Sequence, residues 1–476
     1  MSRTLLGIDV GTTSLKAVLY GEDWEELTSV TLDYSLNSWD NRVELDPEVY
    51  VRMTEDAIAT ICQTAVPDAM AIDTQCETLI VTDEAGKPLR DAIVWLDNRA
   101  VAEAEEIERV FGRKTVYTVT GQPEIAAAWP ACKLLWIRRH EPQVWENTKR
   151  IFLLADWLQY RLTGQFVTEG TLQSSSLYYD IRRGAWWDDM LSYLEVSTEC
   201  LPRLGKSTDP IGTYRGIPVM LGAMDQVAGA IGMGVTGPGM VSEMTGTTLA
   251  VFAPCAEMPP YREGSIVPCH VNYDGSYCRL LWTSAAGLAL KWFRNAFCEA
   301  NSFRELDALA ETVSAGSDGV VFVPHLCGST MPQYQPEATA AFCGVRLEHG
   351  RAHFTRAVME SVVFMLKECL DELDGTVTSI RSSGGGAKSP LWCQMKADAT
   401  GSTIVTLSRG ETATLGSAIM AGVGLGLYAS VEEAASRIRE NGVYSPSSVD
   451  YSEAYRRYRM YCRRVNPRYK QDETCI

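Results

Sequence analysis

The chain has 476 residues, with 43 basic against 60 acidic side chains and a formal charge of −17. Hydrophobic residues make up 46% and charged residues 22%, ordinary globular usage that excludes wholesale disorder and leaves room for two or three domains. The acidic balance excludes a dedicated DNA or RNA binder, which would carry a basic face, but not a phosphorylated ligand, which is held by local groups.

Thr4 to Val10 is an apolar run of strand length, punctuated by Gly11-Thr12-Thr13-Ser14. Leu15, Ala17 and Leu19 then alternate with Lys16, Val18 and Tyr20, which predicts a second strand and a hairpin. Asp46-Pro47 is a helix start, a capping aspartate before a first-turn proline, and Met53, Ala57, Ile58 and Ile61 fall on one face. Ala69 to Ile72 and Leu79 to Thr82 read as short strands, so the pattern is α/β with a mixed sheet. Val219 to Leu221 reads as another strand, followed by Gly222-Ala223-Met224-Asp225-Gln226 and an Ala/Gly-rich helix. Ser379 to Ser383 is a strand turned by Gly384-Gly385-Gly386-Ala387, and Ser389-Pro390 starts a helix through Leu391, Met395 and Ala399. A glycine loop feeding a helix N-terminus offers backbone N–H groups to an anion. The uncharged window from Thr412 to Val431 could span a bilayer, but its glycines, threonines and serines predict a buried helix instead. Tyr455-Arg456-Arg457-Tyr458-Arg459, with Arg463 and Arg464, predicts a C-terminal amphipathic helix that packs its tyrosines.

The apolar stretch Leu5-Leu6-Gly7-Ile8 is cut off by Asp9, far short of a signal-peptide core. Fourteen cysteines are scattered without a C-x-x-C, so the expectation is free thiols in a cytoplasmic protein without membrane attachment. Gly232-Met233-Gly234-Val235-Thr236-Gly237 fits G-x-G-x-x-G but follows no clear strand, and Gly205-Lys206-Ser207 has Cys200 where a P-loop needs its first glycine. His349 and His353 are four apart with no glutamate between them, and are expected at a helix start.

A faint repeat organises the rest. Val10-Gly11-Thr12-Thr13 recurs as Thr245-Gly246-Thr247-Thr248, each followed shortly by Ala-Val, at Ala17-Val18 and Ala250-Val251. Two glycine-hydroxyl turns beside apolar strands suit two similar halves facing one cleft, where such turns can hold β- and γ-phosphates. Asp9 at the end of the first strand and Asp225 at a strand–helix junction are placed to hold Mg²⁺ or its waters and to accept a hydroxyl proton. Phosphoryl transfer needs little more than a phosphate cradle, a metal, a base and in-line positioning.

These residues resemble the FGGY carbohydrate kinase family. Ile8-Asp9-Val10-Gly11-Thr12-Thr13-Ser14 with Lys16 resembles its first phosphate loop, Thr245-Gly246-Thr247-Thr248 its second, and Gly384-Gly385-Gly386-Ala387-Lys388-Ser389 its adenosine loop. Pro130-Ala131-Cys132-Lys133-Leu134-Leu135-Trp136 resembles one family signature, and Phe342-Cys343-Gly344-Val345 through Glu360 the other. The resemblance implies a duplicated actin-like, ribonuclease H-like fold, with domains at 1–241 and 242–476 around a cleft, ATP and Mg²⁺ as cofactors, and a small sugar or polyol as substrate. A homodimer is compatible with it; nucleic acid and membrane partners are not expected. It implies Asp225 as catalytic base and Asp9 on the metal side. Gly11, Thr12, Thr13, Ser14, Lys16, Gly246, Thr247, Thr248, Gly287, Gly385, Gly386 and Ser389 would bind ATP. Gln75, Glu77, Trp95, Asp225 and Gln226 would bind substrate.

Two positions depart from the pattern: Cys76 stands where glycerol kinases carry Arg, and Ser389 where many relatives carry Asn. The substrate expectation is therefore a neutral ketopentose such as xylulose, or a glycerol-like polyol, phosphorylated on a terminal hydroxyl. The alternative is a catalytically silent nucleotide- or sugar-binding regulator, whose mark would be loss of Asp9 or Asp225, and both are present.

Overall fold

The computed structural model describes residues 3–331, 334–408 and 410–466. Thr4–Val10 (β1), Ser14–Gly21 (β2) and Glu26–Asp33 (β3) form consecutive antiparallel pairs, as the hairpin pattern predicts. Helix α1, Pro47–Ile61, starts where expected: the Asp46 side chain accepts from the Glu48 N–H at 2.9 Å. It buries Tyr50, Val51, Ala57, Ile58 and Ile61 in the core beside the first sheet. Ala69–Thr74 (β4) returns parallel to β1. Leu79–Thr82 is a strand as expected, but it joins a separate five-stranded sheet. Pro130–His140 is helix α2, with Ala131, Leu134 and Leu135 fully buried. Pro210–Tyr214 (β5) and Ile217–Met220 (β6) complete the first sheet, in the order β5-β6-β4-β1-β2-β3, and Asp225–Gly232 (α3) follows at once.

The second half repeats this path. Met240–Thr245 (β7), Leu249–Cys255 (β8), Cys269–Val271 (β9) and Tyr277–Thr283 (β10) are antiparallel neighbours. Gly287–Phe297 (α4) and Arg351–Asp371 (α5) lead to Ser379–Gly384 (β11), which lies parallel to β7. Pro390–Thr400 (α6), Thr403–Leu407 (β12), Thr412–Gly424 (α7), Glu440–Tyr444 (β13) and Ser452–Val465 (α8) follow. The sheet order is β9-β10-β8-β7-β11-β12-β13. Three antiparallel strands and then two parallel ones, β3-β2-β1-β4-β6, recur as β10-β8-β7-β11-β12, which is the duplicated actin-like fold. Val10 and Thr245, which open the two copies of the sequence repeat, end the equivalent strands β1 and β7. Strand β7 opens at Met240, so the expected 241/242 boundary falls just inside it.

The halves exchange cover. Helix α7 is a late element of the chain, yet it lies on β1: a Cβ on Gly7 would sit 1.7 Å from the Thr414 carbonyl oxygen. It also crosses α3 in backbone contact, since a Cβ on Gly416 would sit 1.8 Å from the Ala228 oxygen, and one on Gly232 1.8 Å from the Thr412 oxygen. Of the glycines in the uncharged window, Gly416 thus serves helix crossing, and among the described residues no helix is long and apolar enough to cross a membrane. Helix α8 buries Tyr455, Tyr458 and Cys462, as its pattern predicts. The nitrogens Nδ1 of His349 and His353 accept from the Arg346 and Gly350 N–H groups, beside the start of α5.

Candidate active site

The loops expected to hold the nucleotide are built by glycines that let backbone meet backbone. The Gly246 N–H donates to the Thr248 oxygen at 3.0 Å and closes the β7–β8 turn, while the Gly287 N–H donates to the Gly246 oxygen at 2.8 Å. A Cβ on Gly287 would lie 2.3 Å from that oxygen, so α4 can begin there only with glycine. Beside this junction is a cavity of 680 Å³. Of the residues expected to bind ATP, Gly246, Thr247, Gly287, Gly385, Gly386 and Ser389 line it, and Thr248 does not. Sequence reasoning missed Lys291, Arg304 and Asp307 in the same lining; Lys291, one turn into α4 after Gly287, was the legible one. The Ser389 hydroxyl accepts from the Trp392 N–H at 3.1 Å, capping α6, and partly offsets the rise that burial gives the half-buried Asp307 carboxyl. The position where relatives carry Asn is therefore already engaged by the protein itself.

Under the turn lies a fully buried ion pair, Lys396 with Glu243. Lys396 Nζ also donates to Thr245 Oγ1 at 3.0 Å, and the Ser382 hydroxyl donates to Glu243. One network thus joins β7, β11 and α6, each of which ends or begins at a glycine loop. Its two charges are far apart in sequence, and nothing local marks them as partners.

Across the cleft, β1 ends in an acid cluster. Asp9 pairs in register with Asp73 of β4, so the two carboxyls are cross-strand neighbours that act on each other's protonation. Burial pushes Asp9 up to about 6 and Asp73 well above the usual carboxylate range, and Ser417 Oγ of α7 donates to Asp73 at 2.6 Å. Asp225 is the first residue of α3; burial, with Asp9 and Glu77 nearby, raises its carboxyl to about 7. The Gln226 N–H donates to it at 2.6 Å, while the Gln226 side chain is exposed. The turn of Gly11, Thr12, Thr13 and Ser14 is closed by the Gly11 N–H on the Ser14 oxygen and joined by the Tyr34 N–H on Thr13. This turn does not line the 680 Å³ cavity, whose walls all come from the second half. Lys16 is held by Glu411 at 2.5 Å.

The substrate positions gather beside these acids. Gln75 is buried, and its Nε2 reaches the Tyr50 hydroxyl at 3.5 Å. Glu77 sits in a left-handed conformation, φ 59°, that aims the turn after β4. Its carboxyl is raised by burial and pulled back by the Ser175 hydroxyl and the Lys133 charge. Trp95 Nε1 donates to Thr12 Oγ1 at 3.1 Å, joining the aromatic face to the first phosphate loop. Cys76 packs partly against apolar neighbours, and burial, with the carboxyls of Glu77, Asp225, Glu169 and Asp73 acting on it, holds its thiol protonated, so the place of the missing arginine carries no counter-charge from this residue.

Lys133 of α2 was visible in the sequence only as part of a signature. It is fully buried, and its Nζ donates to the oxygens of Glu77 at 2.7 Å and Val94 at 3.0 Å, tying together the two turns that carry Glu77 and Trp95. Burial depresses it to about 7 against the attraction of Glu77 and Asp97. As for a metal, no trio of His, Cys, Asp or Glu side chains gathers among the described residues. One hard carboxylate such as Asp9, completed by phosphates and waters, is the donor set that a small divalent cation takes at such sites.

Two copies of one topology, each ending its first strand at a glycine–threonine turn, are the frame of a kinase of the actin-like fold. Family comparison narrows that class. Residues 4–232 match the N-terminal domain, and residues 271–425 the C-terminal domain, of the FGGY family of carbohydrate kinases. The chain belongs to that family and is an ATP-dependent carbohydrate kinase. It is 29% identical over 452 residues to the xylulose kinase of Lactococcus lactis, covering 90% of this chain and 89% of that one. It is 28% identical over 461 residues to the gluconokinase of Bacillus licheniformis, covering 90% and 88%. Among solved structures, the ligand-bound xylulose kinase from Lactobacillus acidophilus superimposes with a TM-score of 0.89 at 24% identity, over 98% of this chain and 99% of that one.

Proposed function

We propose that the acceptor is a small neutral ketose or polyol, phosphorylated on a terminal hydroxyl with Asp225 as general base. The observation that carries this is the Asp225 carboxyl, raised to about 7 at the head of α3 with Asp9 and Glu77 near it. A base is most effective when its pKa lies near the working pH, so that it is both ionised and able to keep a proton. Glu77, Gln75 and Gln226 offer acceptors and donors to hydroxyls, and Trp95 offers a face to carbons.

The likeness to a gluconokinase raises the alternative of a sugar acid. Two nearby cations speak against it: Lys133 is spent on backbone oxygens and Lys16 on Glu411. An anionic acceptor would meet Glu77 and Asp225 without a free counter-charge from either lysine. On this reading Asp9 holds Mg²⁺ or its waters, and the ion's contribution is to bridge and neutralise the phosphates. Gly246 and Thr247 hold the phosphates on the nucleotide wall, while Gly11 to Ser14 face them from the other. The cytoplasm is the proposed location, where ATP is at hand.

A coupled ADP-release assay across neutral polyols, ketoses and aldonic acids tests the reading. Turnover is expected with neutral three- to six-carbon acceptors, and Trp95→Ala should raise their KM more than it lowers kcat. Turnover confined to aldonic acids or sugar phosphates would overturn it.

A further inference from the structure

Successive residues of a strand point to opposite faces. On the second sheet, Val241, Leu249, Val251 and Leu281 enter the core of the second half. Met240, Phe252, Cys278 and Leu280 point the other way and pack with Val227, Ala228 and Ile231 of α3. Met244, Ala250 and Trp282 continue that second face, side by side in register across β7, β8 and β10. There the cover stops: Phe252 is 3% exposed, whereas Met244 is 43% and Trp282 54% exposed. The next row holds Thr245, and Gly246 of the phosphate turn follows. A tryptophan and a methionine left uncovered in one row of a sheet face are the mark of a binding surface.

We propose that the Met244–Ala250–Trp282 row is the second-half wall of the acceptor site, closing on the carbon edge of a chain-like sugar or polyol. The proposal rests on the neutral-acceptor reading for its substrate class. Continuity with that site argues for this occupant: the row adjoins the Gly246 turn and shares its face with the helix whose first residue is Asp225. The first half offers a second aromatic, Trp95, 36% exposed and held to Thr12 of the first turn. A sugar chain has hydroxyls for the carboxylates and C–H edges for aromatic walls, so a site made by both halves would grip it on two sides. Apolar contact grows with the number of carbons covered, and one added methylene in such a pocket changes discrimination by roughly 10–200-fold.

The test measures wild type, Trp282→Ala, Met244→Ala and Trp282→Phe on acceptors of three to six carbons. Trp282→Ala is expected to raise KM by about tenfold or more for five- and six-carbon acceptors and by less than about threefold for three-carbon ones. Met244→Ala should follow the same trend more weakly, and Trp282→Phe should recover most of the loss. The shift in unfolding temperature given by Mg-ATP should be unchanged, which also reports that each variant is folded; both large side chains are exposed enough for truncation to spare the core. A penalty equal at all chain lengths would overturn the proposal, because the row would then close on protein, and so would no penalty. If the wild type accepts only aldonic acids, the neutral reading fails by itself, while the ratio of variant to wild type along the acid series still decides the wall.

Discussion

Asp225 combines two properties that oppose each other. Its carboxyl is raised to about 7, so the folded chain holds a proton there that the unfolded chain releases near 3.8. A raised carboxylate stabilises the fold fully below the unfolded value, and that stability is lost as pH rises through the folded value. In the window from 3.8 to about 7 the native state therefore weakens while the proposed base becomes ionised. Asp225→Asn should lower kcat by about 10²–10⁴-fold, the usual range for a lost general base, with Mg-ATP binding unchanged. The same variant should unfold at a higher temperature than wild type at pH 8 and lose that advantage near pH 4. In wild type, kcat/KM should fall as pH drops through about 7. Near-normal turnover, or an equal unfolding temperature at pH 8, would remove Asp225 from this role.

Gly246 and Gly287 meet as neighbours but differ as test positions. The nearest protein atom to a Cβ on Gly246 is the Thr248 oxygen at 3.9 Å, so Gly246→Val should fold and fill the phosphate space instead. It should abolish the thermal shift given by Mg-ATP while leaving the unfolding temperature of the free protein close to wild type. A retained shift would mean that this turn does not touch phosphate.

At the scale of elements, Lys133 turns α2 into a support for two turns it does not belong to. Replacing it with Met would strand the Glu77 and Val94 oxygens in a buried place, at roughly 1–3 kcal/mol for each unsatisfied group. Lys133→Met should therefore raise the acceptor KM strongly and leave the KM for ATP near wild type, since the nucleotide cavity is walled by the second half. Equal loss on both substrates would make Lys133 a general support of the fold.

The elements also show where sequence reading reached and where it stopped. The hairpin after Thr4, the capped start at Asp46, the loop from Gly384 and the buried helix at Thr412 were legible because each rests on neighbours in the chain. The turn repeat at Gly11 and Gly246 was legible for the same reason, and the topology bears it out. The sheet that Leu79–Thr82 joins was not legible, because an apolar strand does not name its partner. Glu243 with Lys396, and Lys16 with Glu411, were hidden because charges paired across the fold have no spacing rule. Ser389 could be singled out as a departure, but its duty as cap of α6 needed the backbone direction that only the fold supplies.

For the whole molecule, the exchanged helix α7 joins what the chain order separates. Its serine reaches Asp73, its first turn lies on Gly7, and its glycine admits α3, so a helix made late in the chain supports both the acid pair of the first sheet and the helix that opens at Asp225. The exchange also sets a schedule for synthesis. The first sheet is complete at Met220, but the helix that covers β1 begins only at Thr412. At roughly 5–20 residues per second, a ribosome takes about 10–40 s over that interval. Throughout it the emerging chain carries an uncovered strand face with its partner not yet made. Nascent chains arrested before Thr412 should accordingly bind a hydrophobic dye and holdase chaperones, and those released after Gly424 should not.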